Sequence, residues 1–186
     1  QARGFGTDIS AGAIAVAAEN ARRHGVAVRA SFLAADWLDC IDGKFDLIVS
    51  NPPYLAASEM ASLQPEIAHD PRHALDGGAD GLDAYRRITG SARDSLREGG
   101  TLLLEIGAAQ AESVARILSE AGFALPEPAL LHDLAGRPRC PAVRRATGWS
   151  PRAMCPAPRS PLPRVRPPPG SPSPRAARWR PWCRWR

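Results

Sequence analysis

The chain has 186 residues, enough for one domain with a hydrophobic core and too few for two ordinary ones. Its formal net charge of +5 averages two unlike parts: residues 140–186 carry eleven Arg and no acidic residue, whereas residues 1–139 carry thirteen basic and nineteen acidic residues, a net charge of −6. The high isoelectric point therefore belongs to the C-terminal segment and is no argument that the body binds nucleic acid.

The first forty residues predict a strand, a helix and a second strand. TDIS (7–10) reads as the end of a strand, with Ser10 as the N-cap of a helix. Apolar residues then recur at the spacing of one helix face, at Ile14, Ala17, Ala18 and Ala21. Gly25 stops this helix, and the alternation from Val26 to Phe32 predicts a strand that leads into the loop ADWLD.

The middle of the chain continues this alternation. FDLIVS (45–50) is a continuous apolar run, typical of a parallel strand covered on both faces. Residues 56–79 predict a long loop with one short helix, and Leu82–Leu96 a helix closed by Gly99 and Gly100. TLLLEI (101–106) predicts a strand, residues 114–121 a helix that stops at Gly122, and FAL and ALLHDL a final strand region.

The order of these elements predicts an open α/β sheet with helices on both faces. In such sheets ligands bind at the carboxyl ends of the strands. Three polar signals lie at predicted strand ends: Asp8, the pair Asp36-Trp37, and Asn51-Pro52-Pro53-Tyr54. Their shared location predicts one site.

The first two signals suit a nucleoside. A carboxylate at the position of Asp8 can accept hydrogen bonds from both hydroxyls of a ribose, although the same residue could merely cap the following helix. Asp36 can accept from an exocyclic amine while Trp37 supplies an aromatic face; the alternative is a surface Asp and a core Trp.

The third signal suits methyl transfer to a planar nitrogen. The Asn51 side-chain oxygen and the Pro52 carbonyl can accept both N–H groups of an amide or aromatic amine, which aims the nitrogen lone pair at an electrophilic methyl carbon. Pro52 and Pro53 stiffen the turn, and Tyr54 can lie against the flat group. A rigid turn alone would explain one proline but not this set.

These stretches resemble the bacterial protein-(glutamine-N5) methyltransferases that modify peptide-chain release factors. The resemblance is carried by TDIS, DW (36–37), FDLIVSNPPY (45–54), ALDGGADGLDAYR (74–86), GGTLLLEIG (99–107) and DLAGRPR (133–139), and covers residues 1–139. NPPY alone is shared with DNA adenine-N6 methyltransferases, and close variants occur in RNA guanine-N2 methyltransferases. An exocyclic amine of DNA or RNA is therefore the alternative substrate, which the acidic body disfavours.

The resemblance implies a class I S-adenosyl-L-methionine-dependent methyltransferase with a Rossmann-like sheet. It assigns Asp8 to the ribose of the cofactor, Ile9 to its adenine, and Asp36 and Trp37 to the rest of the adenine pocket. Asn51 and Pro52 would hold the glutamine amide of the Gly-Gly-Gln motif of a release factor, with Pro53 and Tyr54 beside it. No metal is implied.

The resemblance also implies a glycine-rich loop and a first strand before residue 1, the strand lying between those that end at Asp8 and at Asn51. We therefore expect an incomplete sheet and no methyl transfer by the isolated chain. Residues 1–139 would be a partial catalytic domain.

Residues 140–186 are predicted to be a disordered tail, rich in Pro, Arg and Trp, and read as frame-shifted text. The non-enzymatic alternative makes this tail a basic module that binds nucleic acid, at most non-specifically. No stretch approaches the ~20 apolar residues of a membrane span. Cys40, Cys140, Cys155 and Cys183 lack the spacing of a zinc site, which predicts a reduced, cytoplasmic protein.

Overall fold

The computed structural model describes residues 2–39, 41–63, 67–126 and 130–146. Strands and helices alternate through most of this part of the chain, as the sequence predicts. The elements are β1 (Gly4–Asp8), α1 (Ala11–Arg23), β2 (Ala30–Ala34), β3 (Phe45–Ser50), α2 (Ala57–Met60), α3 (Asp83–Ser95), β4 (Leu96–Leu104), α4 (Ala111–Glu120), β5 (Phe123–Ala124), β6 (Leu130–His132) and β7 (Pro138–Arg145).

The strands form two groups. β1 and β2 pair in parallel, from Gly4 opposite Ala30 to Asp8 opposite Ala34. The larger sheet has the order β3-β4-β7-β5, in which β3 and β4 are parallel and β7 runs antiparallel to its neighbours, with β6 also paired to β7. Among the described residues no ladder joins β1 to β3, the place where the resemblance puts a further strand.

The hydrophobic core lies between the larger sheet and the helices α3 and α4. Leu102, Leu104 and Val143 from the sheet are fully buried, and so is Tyr85 from α3. The other face of β3 is open, with Leu47 52% and Val49 66% exposed. The prediction that both faces of β3 are covered is thus wrong for the described residues, since the apolar run alone does not tell which helices lie over it.

The predicted bounds of α1 are confirmed, whereas the predicted start of β2 is wrong. Ser10 Oγ accepts a hydrogen bond from the Ala13 N–H at 3.2 Å, and Gly25 ends the helix with φ of +65°. The strand predicted from Val26 begins only at Ala30, because the Arg29 N–H bonds back to the Val26 carbonyl at 2.9 Å and closes a turn.

The end of α3 lies earlier than the glycine pair predicts. The helix ends at Ser95, and Leu96 is already extended, with φ of −84° and ψ of 146°. Leu96 is fully buried, so packing of this side chain into the core favours the change to a strand before Gly99 is reached.

The last strand crosses the predicted boundary between residues 139 and 140. β7 runs to Arg145, and Val143 pairs with Leu102 of β4. Pro141 and Val143 are buried while Arg144 is exposed, an alternation that the Pro and Arg content of the segment hides. Residues 140–145 therefore belong to the folded body and not to a disordered tail. Residues 147–186, Cys155 and Cys183 with them, lie outside the described residues, as does Cys40.

Candidate active site

A cavity of about 830 Å³ is lined along β1 and β3, among others by Phe5, Phe45 and Leu47, and extends to the residues that follow the carboxyl ends of β1, β2 and β3. This volume is within the range of small-molecule sites, ~300–1,000 Å³. Six residues predicted for the site line the cavity: Asp8, Ile9, Asp36, Trp37, Asn51 and Pro53. Each of the three polar signals of the sequence thus contributes at least one residue to this cavity.

Asp8 ends β1 with an exposed carboxylate. Its Oδ1 accepts a hydrogen bond from the Ser10 N–H at 2.7 Å, which fixes the side chain at the start of α1. Within the described part of the chain, no contact of Oδ2 with another residue is seen. The two readings of the sequence are therefore compatible: one oxygen stabilises the turn, and the other can accept from a ligand hydroxyl.

Asp36 and Trp37 line the cavity after β2, the strand paired with β1, and Arg87 of α3 holds the Asp36 carboxylate. Arg87 Nη2 lies 2.6 Å from Asp36 Oδ2 and 3.2 Å from Asp39 Oδ2. Trp37 adopts φ of +56°, a left-handed conformation rare outside glycine, and its half-buried ring packs against the core. Sequence reasoning missed Arg87, because nothing in the helix pattern of α3 distinguishes it from a surface arginine.

The NPPY segment directly follows β3, whose last residue, Ser50, is still paired with β4. The Glu105 N–H donates to the Ser50 carbonyl at 2.9 Å, so Asn51 follows a fixed strand end. Asn51 is exposed, Pro52 is buried, and Tyr54 is half-buried against the core. Neither Pro52 nor Tyr54 lines the cavity, and their assignment to a substrate remains a prediction.

A glycine-rich turn, residues 77–83, lies against the residues that follow NPPY. The Gly77 N–H donates to the Leu55 carbonyl at 2.9 Å and the Ala57 N–H to the Gly78 carbonyl at 3.0 Å. Gly81 has φ of +75°, and a Cβ there would lie 2.5 Å from the Tyr54 carbonyl oxygen. The ALDGGADGLD stretch is therefore a support for the NPPY segment, which agrees with its interpretation as a loop-shaping element.

A smaller cavity of about 390 Å³ shares Ser50 and Asn51 with the first. Glu105, Arg139 and Cys140 also line it. Burial raises the pKa of the Cys140 thiol, which keeps it protonated near neutral pH and unsuited to act as a nucleophile. Asn51 is thus accessible from this second cavity as well.

The described residues show neither a metal cluster nor a membrane-spanning helix. No group of three or more His, Cys, Asp or Glu side chains there is arranged to hold a metal ion. The same part of the chain contains no helix of the length and apolar character needed to cross a membrane.

The fold and cavity have counterparts among known proteins. A family model described as the methyltransferase small domain matches residues 3–80. A methyltransferase from Pyrococcus furiosus superposes with a TM-score of 0.56 at 15% identity, over 77% of this chain and 63% of that one. A ribosomal protein L11 methylase from Lactobacillus delbrueckii superposes with a TM-score of 0.50 at 25% identity, over 76% and 57%. The chain thus has the α/β fold of the class I methyltransferases.

Sequence comparison is more specific. The chain is 51% identical over 144 residues to a release factor glutamine methyltransferase from Cereibacter sphaeroides, and 46% identical over 143 residues to one from Rhodospirillum rubrum. These alignments cover 77% and 76% of this chain but 51% and 43% of the relatives, so the chain spans about half their length. The resemblance to the glutamine-N5 methyltransferases, inferred from the motifs, is confirmed.

Proposed function

We propose that the chain carries the site at which a peptide-chain release factor is methylated on the glutamine of its Gly-Gly-Gln motif, with S-adenosyl-L-methionine as the donor. The observation that supports this most is that Asn51 borders the same cavity as Asp8, Asp36 and Trp37. A substrate nitrogen at Asn51 and a nucleoside at the two aspartates would then share one space. The release factor glutamine methyltransferases among the relatives favour a protein amide over a nucleic-acid amine.

The residues of the cavity have the chemistry that the cofactor requires. Asp8 offers one carboxylate oxygen to ribose hydroxyls, because the other already accepts from Ser10. Asp36, held by Arg87 through one oxygen, keeps the second for the adenine amine, and Trp37 and Ile9 provide apolar surface beside it. S-adenosyl-L-methionine, when bound, supplies a methyl group on a positively charged sulfur.

The substrate side uses two acceptors. The Asn51 side-chain oxygen and the Pro52 carbonyl would accept the two N–H groups of the glutamine amide, which turns the nitrogen lone pair toward the cavity. The following Pro53 restricts the ψ of Pro52, which limits rotation of the Pro52 carbonyl. Because the proposed substrate acts in translation termination, we propose that this activity is cytoplasmic.

The test is a double-mutant cycle between the chain and its substrate, measured by calorimetry in the presence of S-adenosyl-L-homocysteine. Binding reports on the site whether or not a methyl group is transferred. A release factor with its Gly-Gly-Gln motif is compared with a Gly-Gly-Ala variant, on the unmodified chain and on Asn51→Ala. Asn20→Ala is the matched control, because Asn20 is the other asparagine of the sequence and is exposed on α1.

The unmodified chain and the Asn20→Ala control should bind the glutamine-containing factor with about five-fold or more higher affinity than the Gly-Gly-Ala factor. A difference of this size corresponds to the free energy of one or two hydrogen bonds. Asn51→Ala should lose this preference. Equal affinity of the unmodified chain for both factors would overturn the proposal. Asn51-dependent binding of single-stranded DNA or RNA, with no response to the release factor, would support the amine alternative instead.

A further inference from the structure

Gln110 is the residue that ties the NPPY segment to the rest of the fold. It lies directly before α4, where its own N–H donates to the Gly107 carbonyl and its carbonyl accepts from Val114, both at 2.9 Å. Its backbone position is therefore set by the first turn of a helix that packs against the core. The side chain extends from this fixed point toward the residues that follow β3.

The side-chain amide of Gln110 is used at both ends. Nε2 donates to the Tyr54 carbonyl at 2.9 Å and to the Gly81 carbonyl at 3.2 Å. Oε1 accepts from the Gly107 N–H at 3.1 Å and from the Tyr85 hydroxyl at 3.4 Å. The two carbonyls require an NH2 group and the Gly107 N–H requires an acceptor, so the partners themselves select this orientation of the amide.

The surroundings leave little freedom for another arrangement. A Cβ on Gly107 would lie 2.9 Å from Gln110 Oε1 and 3.4 Å from Tyr54 Cδ2, and a Cβ on Gly81 would lie 2.8 Å from Gln110 Nε2. Burial raises the pKa of the fully buried Tyr85, which keeps its hydroxyl protonated as a donor. Both glycines are thus fitted to one glutamine, whereas the Tyr85 hydroxyl lies between Gln110 Oε1 and the Glu105 carbonyl, which is nearer at 3.0 Å.

We propose that Gln110 is a positioning residue that holds the NPPY segment and so sets the angle at which Asn51 faces the cavity. Gln110 does not line that cavity, so it acts through Tyr54, three residues after Asn51. Because Tyr54 is held at its carbonyl, the short stretch from Asn51 to Tyr54 is fixed at both ends: by β3 at Ser50 and by Gln110 at Tyr54. The catalytic consequence rests on the proposed function, whereas the anchoring does not.

The sequence offers a direct probe of the anchoring. Tyr54 and Tyr85 are its only two tyrosines, and Gln110 contacts both. Incorporation of 3-fluorotyrosine therefore gives two ¹⁹F resonances, assigned with Tyr54→Phe, each next to the proposed anchor. Gln110→Met keeps the length of the side chain and removes all four hydrogen bonds. Glu112→Met, on the exposed side of the same helix, is the matched control.

The Tyr54 resonance should shift and broaden in Gln110→Met and stay unchanged in Glu112→Met. Gln110→Glu gives a second, independent readout. Its carboxyl group can still accept the hydrogen bond from the Gly107 N–H, but it can donate one to the Tyr54 carbonyl only when it is protonated. Its Tyr54 resonance should return toward the unmodified position as the pH falls through the pKa of that carboxyl, which a merely structural effect would not produce. Should Gln110→Met fail to fold, this titration of Gln110→Glu decides alone.

The functional arm repeats the comparison of Gly-Gly-Gln and Gly-Gly-Ala release factors on these variants. Gln110→Met should lose the preference for glutamine while its affinity for S-adenosyl-L-homocysteine stays within about two-fold, since Gln110 contacts none of Asp8, Asp36 and Trp37. An unchanged Tyr54 resonance in Gln110→Met, or one in Gln110→Glu that ignores pH, would overturn the anchor. If the Tyr54 resonance changes as expected but the unmodified chain binds both release factors equally, the proposed function is contradicted. The role of Gln110 in holding Tyr54 would still be supported.

Discussion

Arg87 of α3 lies 2.6 Å from the Asp36 carboxylate, and this contact joins the two halves of the site. Asp36 follows β2, in the group of strands that carries Asp8. α3 begins directly after the glycine-rich turn that supports NPPY. α3 thus carries the partner of Asp36 in its second turn and begins beside the glycine-rich turn that supports the NPPY segment.

Replacement of Arg87 should affect ligand binding more than stability. Both side chains of the pair are partly exposed, Arg87 52% and Asp36 39%, so we expect Arg87→Met to change the free energy of unfolding by no more than about 1 kcal/mol. Asp36 would lose its fixed orientation, and affinity for S-adenosyl-L-homocysteine should fall several-fold. Calorimetry and urea unfolding measure both quantities. Arg22→Met on exposed α1 is the control, and an equal loss of affinity there would contradict the assignment.

The glycine-rich turn gives a sharper stability prediction. Gly81→Ala combines a left-handed φ of +75° with a Cβ only 2.5 Å from the Tyr54 carbonyl oxygen. Gly25→Ala shares the left-handed φ, +65°, but its Cβ would meet nothing within 4 Å. We expect about 1 kcal/mol of destabilisation for Gly25→Ala and ~2–4 kcal/mol for Gly81→Ala in urea unfolding. An equal loss of unfolding free energy in both variants would show that the close approach of Gly81 to the Tyr54 carbonyl does not affect stability.

The last strand is tested by a pair of valines. Val143 of β7 is fully buried, whereas Val28 is 92% exposed. Val143→Ala should lower the free energy of unfolding by ~1–3 kcal/mol, and Val28→Ala should change it by less than about 0.5 kcal/mol. If both substitutions were neutral, residues 140–145 would not be part of the folded body, and the boundary predicted at residue 139 would be restored.

The Asp80–Arg86 ion pair predicts a pH dependence. Its hydrogen bond from Arg86 lowers the pKa of Asp80 from 3.8 to about 2. Because the folded pKa lies below the unfolded one, the pair stabilises the fold above pH ~4, and this contribution is lost as the pH falls through about 2. The stability difference between the unmodified chain and Asp80→Asn should therefore shrink between these values. In an Arg86→Met background the Asp80→Asn substitution should show a smaller convergence, because the hydrogen bond that lowers the pKa of Asp80 is absent.

The sequence predicted most elements of the fold, for local reasons. Ser10 and Gly25 bound α1 through capping chemistry, and the spacing of apolar residues fixed α3 and α4. Errors arose where tertiary packing overrides local pattern. Leu96 starts a strand before the glycine pair because the core buries it, and Val143 is buried in a segment whose composition suggests disorder.

The candidate site was predictable to the extent that its residues end strands. Asp8 ends β1, Asp36 and Trp37 follow β2, and Asn51 follows β3, so all four lie at the carboxyl ends of parallel strands, where ligands of α/β folds bind. Arg87 and Gln110 were not found, because their roles depend on contacts 51 and 56 positions apart in the chain. Gly81 and Gly107 are a sequence signal that could have indicated the contact of Gln110 with Tyr54. A side chain at either glycine would collide with the Gln110 amide.

The most direct test of the central claim is the binding of one compound that spans both walls of the cavity: an adenosine joined at its 5′ carbon, through a short linker, to the side-chain nitrogen of a glutamine peptide. Titration calorimetry compares the unmodified chain with Asp8→Ala, Asn51→Ala and the Asn20→Ala control. The account predicts that each of the first two substitutions weakens binding about ten-fold or more, while the control binds as the unmodified chain does. Undiminished binding by either Asp8→Ala or Asn51→Ala would show that the two walls do not form one methyl-transfer site.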